Sequence, residues 1–121
     1  MQEDFLHFIW QYQKFKTVNL TTVCGKSIQV IAVGTHNFNS GPDFFNSKVR
    51  IGNQLWVGNV ELHINASDWY MHKHEQDAAY SNVILHVVWK ADTKVYDRHQ
   101  NEIATLELQH VVNALLLQRY K

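Results

Sequence analysis

Asp43, Glu61 and His63 are the residues whose types and spacing best suit chemistry. Glu61 and His63 stand two apart in Val60-Glu61-Leu62-His63-Ile64, a run whose apolar and β-branched residues predict a strand. Side chains alternate along a strand, so Glu61 and His63 share one face while Val60, Leu62 and Ile64 take the other. Asp43 follows Gly41-Pro42; Pro42, the only proline, fixes its own φ and pushes Gly41 toward extended backbone, so Asp43 emerges from a stiffened turn. A magnesium-type cation takes oxygen ligands, often one or two carboxylates with water and substrate phosphate. Two carboxylates at the mouths of adjacent strands suit it, and an imidazole beside them can position or deprotonate water. The plainer use of the same residues is structural, with Asp43 accepting turn hydrogen bonds and Glu61 and His63 on a solvated sheet face.

A second group follows in Ser67-Asp68-Trp69, His72-Lys73-His74 and Asp77. Two imidazoles and a carboxylate can hold zinc or iron. However, positions i and i+2 do not face each other on a helix, so zinc here requires a loop or extended geometry. Surface or structural roles are therefore expected for His72 and His74, and zinc ranks behind magnesium or manganese. Asp68 and His72 are accessory candidates. So is His86, inside the most apolar strand, where it would orient His63 if the two strands pair. Cys24 sits beside Gly25 in a turn with no histidine close in sequence, and Trp69 is expected in the core.

The elements that must position these residues read as follows. Phe5, Phe8, Ile9, Tyr12 and Phe15 form a stripe on a 3.6-residue period, predicting an amphipathic helix over 4–15 that packs on a sheet. Residues 20–23 and 27–33 read as a hairpin around Cys24-Gly25-Lys26. The polar segment 34–43 reads as loop. Residues 44–51 and 54–64 flank Gly52-Asn53, a two-residue hairpin turn. Ser67 or Asp68 is placed to cap a short helix reaching 77–80. Residues 82–89 are nearly continuously apolar, which predicts a central strand buried on both faces. A further hairpin is expected from 95–96 and 103–108, then a final helix over 109–120.

Composition narrows the classes. The 121 residues suit one domain with its own core; 45% are apolar and 18% charged, as in globular proteins. Eleven basic residues balance eleven acidic ones, so no global field favours nucleic acid or a membrane surface. No apolar run approaches a membrane span, the acidic start Met1-Gln2-Glu3-Asp4 is unlike a secretory signal, and one cysteine allows no intrachain disulfide. A cytoplasmic location is the expectation. The motifs GxxxxGK[ST], GxGxxG and GxSxG are absent, which leaves nucleotide-cofactor and serine-hydrolase chemistry without support.

The stretch from His36-Asn37 through Gly41-Pro42-Asp43-Phe44, Gly58-Asn59-Val60-Glu61-Leu62-His63, Ser67-Asp68-Trp69, His72-Lys73-His74 and Tyr80-Ser81-Asn82-Val83-Ile84-Leu85-His86 resembles an uncharacterised bacterial family of unknown function. The resemblance covers nearly the whole chain. Members of that family are longer, which implies that residues 1–121 form a single domain at the N-terminal side of a larger protein, with its own C-terminal region as a partner.

A second resemblance concerns mechanism. The order helix, strand, strand with Pro-Asp, strand with Glu-x-polar, helix, strand is similar to the core of the PD-(D/E)xK nuclease superfamily. The resemblance implies a restriction-endonuclease-like α/β (α+β) fold, with an N-terminal helix on a mixed central sheet, β-hairpins and a C-terminal helix. It also implies Mg2+ or Mn2+ held by Asp43 and Glu61, and nucleic acid as substrate. His63 stands where that superfamily has Lys; a neutral imidazole can accept a proton but carries no permanent charge. The expected function is thus a divalent-metal-dependent nuclease-like hydrolase with Asp43, Glu61 and His63 catalytic. The rivals are a non-enzymatic binding or scaffolding domain with a structural polar network, and a zinc hydrolase using His63, His72 and His74.

Overall fold

A computed structural model describes residues 1–120. The chain is mixed α+β: α1 (Glu3–Gln11), β1 (Ile28–Ala32), β2 (Thr35–His36), β3 (Phe44–Ile51), β4 (Gln54–Asn65), α2 (Asp68–Met71), two 3-10 turns (His74–Gln76 and Ala78–Tyr80), β5 (Val83–Lys90), β6 (Thr105–Glu107) and α3 (Ala114–Tyr120). One six-stranded sheet runs β1-β3-β4-β5-β6, with β2 added beside β3. The pairs β1–β3, β2–β3 and β3–β4 are antiparallel; β4–β5 and β5–β6 are parallel. The parallel step from β4 to β5 needs a crossover, and residues 66–82 supply it.

The helix α1 has no side-chain N-cap, but Glu3 and Asp4 in its first turn complement its dipole. It stops at Gln11, earlier than its apolar stripe predicts, because Gln13 adopts a left-handed φ of 49°. Its buried face is consequently Phe5, Leu6, Ile9 and Trp10, while Tyr12 is exposed. These side chains meet Phe44, Val49, Val60, Leu62, Leu85, Val87 and Leu106 in the main core. Each such side chain contributes about 1.5–3 kcal/mol by leaving water. The Trp10 indole N–H finds the Val33 carbonyl at 3.1 Å, so burying it leaves no orphaned donor.

The opposite sheet face is covered by a smaller cluster in which Trp69, Val88, Val95 and Ile103 are buried. Trp69 anchors the crossover there and donates to the Tyr96 carbonyl at 3.2 Å. Gly58 lets β5 enter closely: a Cβ at this position would meet the Asn82 carbonyl at 2.8 Å.

Several expectations need correction. Residues 20–23 form no strand; only a Thr21–Ser27 bridge remains of that hairpin, because β1 pairs with β3 instead. The polar loop contains the short β2. The crossover helix ends at Met71, since Lys73 takes a left-handed conformation. The hairpin expected after β5 is reduced to a Tyr96–Glu102 bridge, and β6 joins β5 in parallel. The C-terminal helix starts at Ala114 rather than 109. No helix of the described residues is long and apolar enough to cross a membrane.

Candidate metal centre

A bulge decides which way Asp43 points. Along the hairpin Ser47 faces Gly58, but further on Phe44 faces Val60, so three steps on β3 match two on β4. Asn46, with φ of 57°, sits in the irregularity. The extra residue turns Phe44 into the main core and carries Asp43 to the same side as Glu61. Two reciprocal bonds fix the result: Asp43 N–H donates to Glu61 Oε1 at 3.1 Å, and Leu62 N–H donates to Asp43 Oδ2 at 2.9 Å.

Glu61 and His63 share their face of β4 as expected. That face is buried under the crossover rather than solvated: Glu61 is 4% exposed and His63 1%. Glu61 Oε2 lies 3.3 Å from His63 Nε2 and 3.0 Å from His74 Nε2. His86, paired beside Glu61 in the parallel ladder, reaches His63 Nδ1 at 2.7 Å through Nε2. His63 therefore has only Nε2 left for the site. The rings of His63 and His72 are 5.1 Å apart, and the ligand atoms of His63, His72 and His74 all lie within 4.8 Å of one another.

Lys73 explains how a His-x-His pair converges. With φ of 56° and ψ of 35° it reverses the chain between the end of α2 and the next turn, so His72 and His74 approach His63 together. His74 is then held by Tyr80, stacked at 3.7 Å, and by the edge of Trp69 at 5.2 Å. His72 remains exposed and forms the open side of the cluster.

Distance alone would class the Glu61–histidine contacts as ion pairs, but burial makes both partners neutral. Desolvation and the adjacent Asp43 charge push the Glu61 carboxyl up to about 10. Desolvation, then the neighbouring His74 and His72, holds the His63 imidazole down at about 3. Desolvation also lowers His74 and His86. Asp43 goes the other way: burial favours its acid form, but His7, the Leu62 N–H and Glu61 outweigh that and keep it ionised. His7 Nε2 is 3.5 Å from Asp43 Oδ2; burial disfavours its cation, yet the Asp43 carboxylate overrides this and raises it. The cluster is thus one carboxylate, one carboxylic acid and three neutral buried imidazoles.

His7 and Glu3 join the site without standing among the residues that the sequence singles out. They stand at i and i+4 on α1, on the side facing Asp43, and that spacing was the available signal. Glu3 is raised by burial and by Asp43. Asp68, an accessory candidate, instead accepts the Asn65 N–H at 3.1 Å and steadies the entry to α2. Asp77 caps the second 3-10 turn through Ala79 N–H. Cys24 lies elsewhere, bonded to Glu102 at 3.0 Å. Two cavities, about 750 and 580 Å3, are lined by residues around α3 and around Trp56, none of them in this cluster.

A family model matches residues 3–121. The chain belongs to that family, described as protein of unknown function, DUF2851. No curated protein and no solved structure matches the chain. Membership in DUF2851 names no activity, so the donor set and its geometry carry what can be said of function.

Proposed function

We propose that this domain is a divalent-metal-dependent hydrolase of phosphodiesters, with Asp43 and Glu61 holding a Mg2+ or Mn2+ ion and His63 positioning or activating water. The observation that carries this is the buried contact of Asp43 with Glu61, with His63 beside them on the same side of β4. Two adjacent carboxyl groups out of water force a proton onto one of them. A divalent cation supplies the missing positive charge and lets both ionise, at the cost of one released proton.

The order of elements supports the phosphodiester substrate. The reading rests on the order of a helix, antiparallel β1, β3 and β4, a crossover and a parallel β5, the order from which the PD-(D/E)xK resemblance is drawn. Asp43 leads into the middle strand and Glu61 lies in the next. His63 sits two residues after Glu61, where its unprotonated state suits proton acceptance. Lys73, exposed between His72 and His74, offers a cation to a phosphate. Nucleic acid is the partner class this implies, and the cytoplasm the compartment.

The scaffolding reading has one observation of its own: the reciprocal Asp43–Glu61–Leu62 bonds clip β3 to β4 without any ion. Yet apolar residues would clip the strands without burying an acid beside a carboxylate. The test is cleavage of DNA and RNA with Mg2+, Mn2+ or chelator, using isosteric Asp43→Asn and Glu61→Gln. Metal-dependent cleavage should fall by at least about a hundredfold in each variant. Cleavage that persists in chelator, or that both variants retain, overturns the proposal.

A further inference from the structure

We propose a second metal site, formed by His63, His72, His74 and Oε2 of Glu61, that takes a borderline transition-metal ion such as Zn2+ rather than Mg2+. It is distinct from the Asp43 side of Glu61 and stands whether or not the domain hydrolyses anything.

The spacing is the first support. A tetrahedral zinc with bonds near 2.0–2.1 Å places its ligand atoms about 3.3 Å apart. Glu61 Oε2 already lies 3.3 Å from His63 Nε2 and 3.0 Å from His74 Nε2. The three imidazole ligand atoms lie within 4.8 Å of one another, and the exposed His72 has room to close the remaining gap.

The second support is that the buried nitrogen of His74 has no other use. His74 Nε2 is buried and makes no aligned hydrogen bond, although Glu61 Oε2 lies 3.0 Å away. Such an atom is costly unless something else takes its lone pair. The ligands are also held from behind: His86 bonds the far nitrogen of His63, and Tyr80 and Trp69 fix the His74 ring. Outer partners of this kind set ring orientation in metal sites.

The donor set selects the ion. Imidazole suits zinc, copper, iron and nickel, whereas magnesium demands oxygen and keeps its waters. Glu61 then bridges: Oε1 faces Asp43 and Oε2 faces the histidines. With four ligands the set is closed, so the ion acts as a clamp tying the His72–His74 turn to β4, in a state where His63 Nε2 is a ligand and no longer accepts a proton.

Titration of the chelator-stripped chain with Co2+, read by its tetrahedral visible absorption, and with Zn2+ by calorimetry tests this. One equivalent should bind, raise the thermal midpoint, and displace when Zn2+ follows Co2+. His72→Ala, at an exposed position that folding tolerates, should weaken binding at least about tenfold, as loss of even an outer partner does. His74→Gln should do the same, whereas Asp43→Asn should keep the cobalt spectrum while losing any hydrolysis. Absence of Zn2+ and Co2+ binding, or binding untouched by both histidine variants, overturns the site. Loss of the cobalt signal in Asp43→Asn overturns its distinctness. Because the readout is a spectrum, these failures are separate from failure to cleave phosphodiesters.

Discussion

The two faces of β4 are made by alternate residues of one strand, yet they obey different physics. Val60 and Leu62 enter a hydrophobic core with α1, β3 and β5 side chains. Glu61 and His63, one residue along in each case, are just as buried but lie among Asp43, His74 and His86. The first face is stabilised by leaving water, which needs no partner of defined chemistry. The second loses hydration and recovers only part of it through hydrogen bonds, so its groups change protonation state to avoid buried charge. Two cavities, around α3 and around Trp56, contain none of the cluster.

The largest difference between the faces should appear on truncation. Leu62→Ala removes a fully buried side chain from the apolar face and should destabilise by about 2–5 kcal/mol through lost transfer energy and the cavity left behind. Chemical denaturation, repeated with and without added divalent metal, reads this. The loss should be the same in both, because no Leu62 side-chain atom belongs to either proposed metal site. A loss that metal largely restores would mean that the two faces are energetically one unit.

On the polar face the sharper probe is pH. Glu61 is protonated in the folded chain up to about 10, whereas in the unfolded chain it ionises near its ordinary 4.5. Between those values the folded state binds the extra proton, so stability falls as pH rises. His63, His74 and His86 work in the opposite sense: lowered in the fold, they leave the unfolded state with more protons below 6.5, so stability is lost as pH falls there. The metal-free chain should therefore be most stable near pH 6.5. Above it a slope of about 1 kcal/mol per pH unit is expected, approaching the value for one proton. His7, raised by Asp43, adds to the same decline as it deprotonates. Glu61→Gln should flatten most of the alkaline slope, and saturating metal should do likewise by ionising Glu61. An unchanged slope in Glu61→Gln would mean that Glu61 is not the proton holder.

How much of this was legible in the sequence depends on whether the deciding physics is local. The Gly52-Asn53 turn, the alternation of Glu61 with Leu62 and the continuous apolar run of β5 are short-range patterns, and each is present in the fold. The face that Asp43 adopts depends on the bulge at Phe45–Asn46. Nothing in Phe44-Phe45-Asn46 distinguishes it from regular strand, apart from an asparagine that tolerates positive φ. The meeting of His72 with His74 was hidden for a related reason. It rests on Lys73 in a left-handed conformation that a sequence reader assigns to glycine or asparagine. The burial of Glu61 and His63 comes from the crossover laid over them by Trp69, a long-range event. Period-two alternation says which residues share a face, and it does not say what covers that face.

The smallest effect is expected where β4 leaves both environments. Near the hairpin Leu55, Trp56 and Val57 are exposed, and Val57, on the same face as Glu61 and His63 by alternation, is 58% exposed. Val57→Thr keeps a β-branched side chain and exchanges a methyl for a hydroxyl that water can reach. Stability should change by less than about 0.5 kcal/mol, the range for surface positions away from special features. Metal affinity should not change, because Val57 is four residues from Glu61, about 13 Å along an extended strand. Denaturation midpoints and zinc calorimetry on this variant thus calibrate the other two. A loss above about 1 kcal/mol would show that this end of the face is covered in solution. The contrast drawn along β4 would then lie between two buried regions, one apolar and one polar, with no solvated reference on the strand.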